Sequence, residues 1–166
     1  QEMPVLENLM LAGRDQTETA IHAVTPSLRT SVRSQEQHLV ERAWEMLDFF
    51  DIDHVAYDYA GTLSGGQRKL LELARALMAE PEMLLLDEPF AGVNPSLEER
   101  LLDRLHELCD RGYTFLIVEH DIDLIMDNCE RVIVMHQGSL LAEGTPAEIQ
   151  EDERVVEAYL GGEVEG

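Results

Sequence analysis

Two stretches of this sequence carry side chains suited to phosphate chemistry. Leu63-Ser64-Gly65-Gly66-Gln67 is a short glycine turn directly ahead of a helix-forming run, and Met83-Leu84-Leu85-Leu86 delivers two adjacent carboxylates, Asp87 and Glu88, before Pro89. A glycine turn opening a helix offers unpaired backbone N–H groups and the positive end of the helix dipole, which favours an anion. An apolar run ending in carboxylates reads as a buried parallel strand whose C-terminal tip faces a reaction. A third stretch, Thr114-Phe115-Leu116-Ile117-Val118, reads as another buried strand that delivers Glu119-His120-Asp121 at its tip. Together these point to a phosphate-handling site.

The elements that must position these residues follow from periodicity. Val5, Leu6, Leu9 and Met10 have helical spacing, whereas residues 13–37, rich in Thr, Ser, Gln and Arg, read as a loop or mobile insertion. Over residues 37–50 the apolar positions Leu39, Val40, Ala43, Trp44, Leu47 and Phe50 share one face, with Trp44 read as a core anchor. His54, Tyr57 and Tyr59 read as packing residues of the segment leading into the glycine turn. After Gly66, Leu70, Leu71, Leu73, Ala74, Leu77 and Met78 predict a buried helix that ends near Pro81. A turn through Gly92 and Pro95 precedes a helix with Leu97, Leu101, Leu102, Leu105 and Leu108 inward.

Beyond His120, residues 122–126 predict a short helix and residues 132–135 a third buried strand. Such alternation implies parallel pairing with right-handed crossovers. Gln137-Gly138-Ser139 reads as a hairpin turn with residues 140–144 returning, and Thr145-Pro146-Ala147-Glu148 has the capping order of a helix start. The last helix carries Val155, Val156, Tyr159 and Leu160.

Composition restricts the function. The chain has 166 residues, 12 basic against 34 acidic, a net charge of -22. That balance argues against nucleic-acid binding, which depends on Lys and Arg. Because the acidity is spread along a chain that is 45% apolar, it reads as a solvated carboxylate surface rather than disorder, and it resembles adaptation to high salt. Cys109 and Cys129 lack ligand spacing and read as reduced structural thiols. No apolar run reaches the roughly 20 residues of a membrane span.

In this order and at these spacings, the glycine turn, Leu84-Leu85-Leu86-Asp87-Glu88-Pro89 and His120 resemble the nucleotide-binding domain of ABC transporters. Glu88-Pro89-Phe90-Ala91-Gly92-Val93-Asn94-Pro95, Val118-Glu119-His120-Asp121, and the ending Gly144-Thr145-Pro146 through Ala158-Tyr159-Leu160-Gly161 are similar to the ATPases of branched-chain amino acid importers. Lipopolysaccharide-export ATPases share several of these phrases. The resemblance implies an α/β fold, the C-terminal part of a P-loop NTPase, with a parallel sheet, crossover helices and a helical subdomain. It divides the chain into a helical subdomain with the signature turn (1–80), a RecA-like catalytic part (81–145) and C-terminal helices with a tail (146–166). The cofactors it implies are ATP and Mg²⁺.

Asp87 then holds the metal, through water because Mg²⁺ dehydrates reluctantly. Glu88 orients or deprotonates the attacking water, and His120 bonds the γ-phosphate. Ser64, Gly65 and Gly66 bind the γ-phosphate of ATP held by the opposing subunit, with Gln67 more structural than catalytic. Asn94 stands in the loop that crosses the dimer interface, where many relatives carry Asp. The implied partners are a second ATPase subunit, identical or paralogous, and an integral membrane permease. The implied location is cytoplasmic, peripheral on the inner face of the membrane.

One departure is decisive. The sequence contains no G-x-x-x-x-G-K-[ST] phosphate loop, and its single lysine, Lys69, follows Gln67-Arg68 rather than glycine. The chain also opens without an initiator methionine, and so reads as an N-terminally truncated ATPase whose sheet lacks its central strand. That absence leaves two buried edges unpaired, which predicts poor stability and no tight ATP binding for the chain alone. The rival expectation is a non-catalytic partner that lends its signature turn in trans. ABC-type ATPases of DNA repair or translation are disfavoured by the acidity.

Overall fold

A strand pair and four helices surround the glycine turn. The structure, a computed structural model, describes residues 2–13 and 26–160 and divides into two units, 1–117 and 118–166. In the first unit, α1 (Val5–Met10), α2 (Pro26–Phe49) and α3 (Gly65–Met78) pack on one another. Val5 and Leu9 of α1, Ala43 and Leu47 of α2, and Ala74 and Leu77 of α3 are fully buried. Each large side chain withdrawn from water here contributes about 1.5–3 kcal/mol. β1 (Met83–Asp87) and β2 (Thr114–Val118) are neighbours in a two-stranded sheet, joined through α4 (Pro95–Asp110), the crossover that parallel strands require. Leu97, Leu101, Leu105 and Leu108 form the buried stripe of α4.

The second unit holds α5 (Ile122–Asn128) and a hairpin of β3 (Val132–His136) and β4 (Ser139–Gly144). Beyond them lie α6 (Pro146–Glu151), α7 (Glu153–Val155) and a π-helical turn, Val156–Leu160. The hairpin is antiparallel, from Val132 opposite Gly144 to His136 opposite Ser139. Its turn needs two successive left-handed residues, supplied by Gln137 (φ 49°) and Gly138 (φ 77°). Val132, Ala142, Ile149 and Val155 form the core of this unit. Thr145 and Glu148 close the capping box that starts α6, with Pro146 in the first turn.

Several expectations are corrected. Residues 26–37 are helical, continuous with α2, rather than part of a loop; residues 14–25 lie outside the described residues. Pro26 suits a first turn and no Gly or Pro interrupts 27–37, so helix propensity prevails where apolar periodicity is missing. Trp44 is half-buried, edge-on to Tyr57, while Met46, Leu47, Phe49 and Phe50 carry the core. Tyr57 is 77% exposed and Tyr59 is also exposed, so neither is a packing residue. The strands, read as buried on both faces, expose Leu85 (71%) and Val118 (57%), because the described residues supply no layer over them. β3 pairs with β4, the hairpin that Gln137-Gly138-Ser139 predicts.

Candidate functional site

Ser64 is the N-cap of α3. Its Oγ accepts from the Gln67 backbone N–H at 3.2 Å, and the Gln67 Oε1 accepts from the Ser64 N–H at 3.0 Å. This capping box consumes two donors of the first turn and leaves the remaining early N–H groups, with the helix dipole behind them, for an anion. Arg68 ties the turn down by donating to the Leu63 carbonyl at 2.9 Å, and Gln67 Nε2 lies 3.5 Å from the His54 ring.

The two glycines differ. A Cβ added to Gly65 would meet nothing within 4 Å, so the backbone there is open to close approach. A Cβ on Gly66 would lie 2.6 Å from Leu97 Cδ2, so the turn packs closely against α4 and a side chain there would make Leu97 give way.

Asp87, at the C-terminal end of β1, and Glu88, in the left-handed region at φ 44°, are both exposed. The buried Phe90 anchors the loop behind them, and the Glu88 carbonyl accepts from the Ala91 N–H at 3.1 Å and from Lys69 Nζ at 3.4 Å. Asn94 caps α4, its Oδ1 accepting from the Leu97 N–H at 3.0 Å and from Ser96 Oγ at 3.1 Å. The signature turn and this loop border one shallow groove of about 210 Å³, with Gly65 and Lys69 on one side and Gly92 and Val93 on the other. Of the eight residues singled out, Ser64, Gly65, Gly66, Gln67, Asp87, Glu88 and Asn94 stand in the first unit, and of these Gly65 borders the groove.

His120 stands in the second unit. It is 78% exposed, with Nδ1 3.6 Å from the carboxylate of Glu119, whose own side chain is 3% exposed. Asp121 caps α5 through its Oδ1, which accepts from the Leu124 N–H at 3.1 Å, and so fixes the backbone beyond the histidine.

Sequence reasoning missed two residues that meet this site, Lys69 and Leu97. Lys69 reaches the Glu88 carbonyl across 19 positions of sequence, a contact that no local pattern announces. Leu97 was read as an inward leucine of α4, and the only signal of its further role is the second glycine of the turn. Among the described residues no group of three or more His, Cys, Asp or Glu could hold a metal ion, and no helix is long and apolar enough to cross a membrane.

Comparison with known proteins agrees in family. The profile of the ABC transporter family matches residues 5–91, and that of the branched-chain amino acid ATP-binding cassette transporter matches residues 139–165. The chain is 42% identical over 163 residues to the probable branched-chain amino acid transport ATP-binding protein LivG of Archaeoglobus fulgidus, covering 98% of this chain and 62% of that protein. It is 37% identical over 165 residues to the high-affinity branched-chain amino acid transport ATP-binding protein BraF of Pseudomonas aeruginosa, covering 97% and 63%. The crystal structure of a nucleotide-free ATP-binding cassette from an ABC transporter superposes with a TM-score of 0.74 at 36% identity, covering 95% of this chain and 63% of that one. The ADP conformation of an ATP-binding cassette superposes with a TM-score of 0.72 at 35% identity, covering 96% and 63%. The chain thus spans less than two thirds of the length of these relatives.

Proposed function

The chain belongs to the ABC transporter family, and we propose that it is part of an ATP-binding subunit that energises branched-chain amino acid import. The observation that carries this reading is the shared groove of the first unit. There an open, capped glycine turn and the loop behind two exposed carboxylates stand on one helix, α4. The trans arrangement comes from the family resemblance, in which the turn of one subunit serves the phosphate held beside the other's carboxylates, so that two subunits face each other across each nucleotide.

In this reading Asp87 holds Mg²⁺, which when bound neutralises phosphate charge. Glu88 takes the proton of the attacking water or orients it, a contribution typically worth about 10²–10⁴ in rate. Ser64 donates its hydroxyl proton to the γ-phosphate, since its oxygen already accepts within the capping box, and the open backbone at Gly65 admits the phosphate closely. His120 donates to the γ-phosphate of the nucleotide held by its own subunit, and Asn94 hydrogen-bonds across the interface. The partners are a second ATP-binding subunit and a membrane permease, with the ATPase on the cytoplasmic face.

The signature half of this arrangement is complete within the chain, whereas the half that grips a nucleotide in cis lacks a phosphate-loop lysine. Lys69, the one lysine, instead donates to the Glu88 carbonyl. The rival reading, in which the chain serves a partner's nucleotide only, is separated from the first by experiment.

Fusing the upstream part of the Archaeoglobus fulgidus relative to this chain tests both readings. Mg²⁺-dependent ATP turnover that falls about 10²-fold or more in Glu88→Gln supports the first. Turnover indifferent to Glu88 but abolished by Ser64→Arg supports the second. Turnover indifferent to both variants defeats the nucleotide-site assignment.

A further inference from the structure

The end of α2 is built unusually. The Asp51 N–H donates to the Asp48 carbonyl at 3.0 Å and the Ile52 N–H to the Leu47 carbonyl at 2.9 Å, the paired bonds of a Schellman stop. Such a stop needs a left-handed residue, which is usually glycine. Here it is Asp51, at φ 55°, where an L side chain is disfavoured. Aspartate is one of the few side chains that tolerate this region, and here its carboxylate has partners beyond the turn.

Its Oδ2 accepts from Arg104 at 3.1 Å and from Arg100 at 3.2 Å, both one turn apart on α4. Arg104 also donates to Glu107 at 3.1 Å, and Glu107 pairs in turn with Arg111. The guanidinium groups of Arg104 and Arg111 lie 5.0 and 4.5 Å from the centre of the buried Phe49 ring, two residues before Asp51. Three of the chain's scarce cations are thus spent on one seam, between the end of α2 and the middle of α4. A single exposed pair of this kind contributes little, but a network with aromatic packing behind it holds a geometry.

That geometry bears on the signature turn. The segment from Asp51 to Gly66 leaves α4 at Arg100 and Arg104 and returns to it at Leu97, against which Gly66 packs without room for a Cβ. Both of its ends are pinned to one helix, less than two turns apart, and the same helix is capped by Asn94. We propose that Asp51 is a positioning residue for the signature turn, its carboxylate clamping this segment to α4 so that Ser64 to Gly66 are held beside the loop that follows Glu88. The inference deepens the reading of Ser64 to Gly66 as phosphate-contacting and rests on it for its functional meaning, though the clamp itself does not.

Asp51→Asn and Asp51→Gly test it in the 166-residue chain, since both residues tolerate the left-handed stop and leave the end of α2 intact. Amide hydrogen exchange is followed without nucleotide in peptides covering residues 60–68, residues 70–78 and the hairpin 132–144. Both variants are expected to speed exchange in residues 60–68 about five-fold. Residues 70–78 and the hairpin should stay unchanged, and Asp51→Glu should restore much of the protection. Unchanged exchange in residues 60–68, or an equal rise in all three peptides, overturns the proposal. Because no nucleotide is present, either result stands apart from whether Ser64 contacts a phosphate, which Ser64→Arg in the fusion tests separately.

Discussion

Gly65 and Gly66 are chemically identical neighbours with opposite expected sensitivities. Gly66→Ala places a methyl group 2.6 Å from Leu97 Cδ2, so the turn or α4 must shift, an overpacking effect of about 1–3 kcal/mol in denaturant unfolding. Gly65→Ala meets open space and should leave stability within about 0.5 kcal/mol of the parent while impairing any phosphate contact made there. Equal destabilisation by the two would remove the distinction between a packing and a binding glycine. The sequence alone made both glycines legible as a turn but not their division of labour, because Leu97 lies 31 residues away and meets the turn only in the folded unit. Asp87, Glu88 and Asn94 were singled out through the resemblance, whereas the groove between Gly65 and Gly92 joins residues distant in sequence and is visible only in the folded unit.

At the scale of elements, helices with strong apolar stripes and caps were read correctly: α3, α4, the hairpin and the capping box of α6 are each encoded locally. The first half of α2 was misread because its polar residues carry helix propensity without periodicity. The Asp51 seam was invisible for a different reason, being made by residues about 50 positions apart. It also titrates. The hydrogen bond from Arg104 holds the Asp51 carboxyl below its usual value, against the opposing effect of burial. A lowered folded-state value means that the carboxylate stabilises the fold above the ordinary carboxyl range, near pH 4, and that this contribution fades as pH falls through the folded value. The stability gap between the parent and Asp51→Asn in denaturant titrations is therefore expected at pH 7 and should narrow below about pH 4. A gap that persists unchanged at pH 3 would contradict the ion pairing.

For the whole molecule, the exposed strand faces matter most. Leu85, Leu116 and Val118, and separately Ile133, Met135 and Leu140, stand in water in numbers unusual for a soluble chain. The sequence predicted β1, β2 and β3 as buried, and the exposure of their apolar residues follows from the absence of a covering layer among the described residues. The 166-residue chain is expected to bind a hydrophobic dye and to unfold at a low temperature. A cooperative transition above about 60 °C, beyond the usual mesophilic range, would contradict this. With a net charge of -22, its melting temperature should rise between dilute buffer and molar salt as self-repulsion is screened.

The central claim is that Ser64 to Gly66 engage a nucleotide held by another subunit. Fluorescence anisotropy of the labelled 166-residue chain, titrated with the full-length Archaeoglobus fulgidus relative, tests it with and without a slowly hydrolysed ATP analogue and Mg²⁺. Association that requires the nucleotide and disappears in Ser64→Arg is the expected result. Association that is independent of nucleotide, or that survives Ser64→Arg, would contradict the claim.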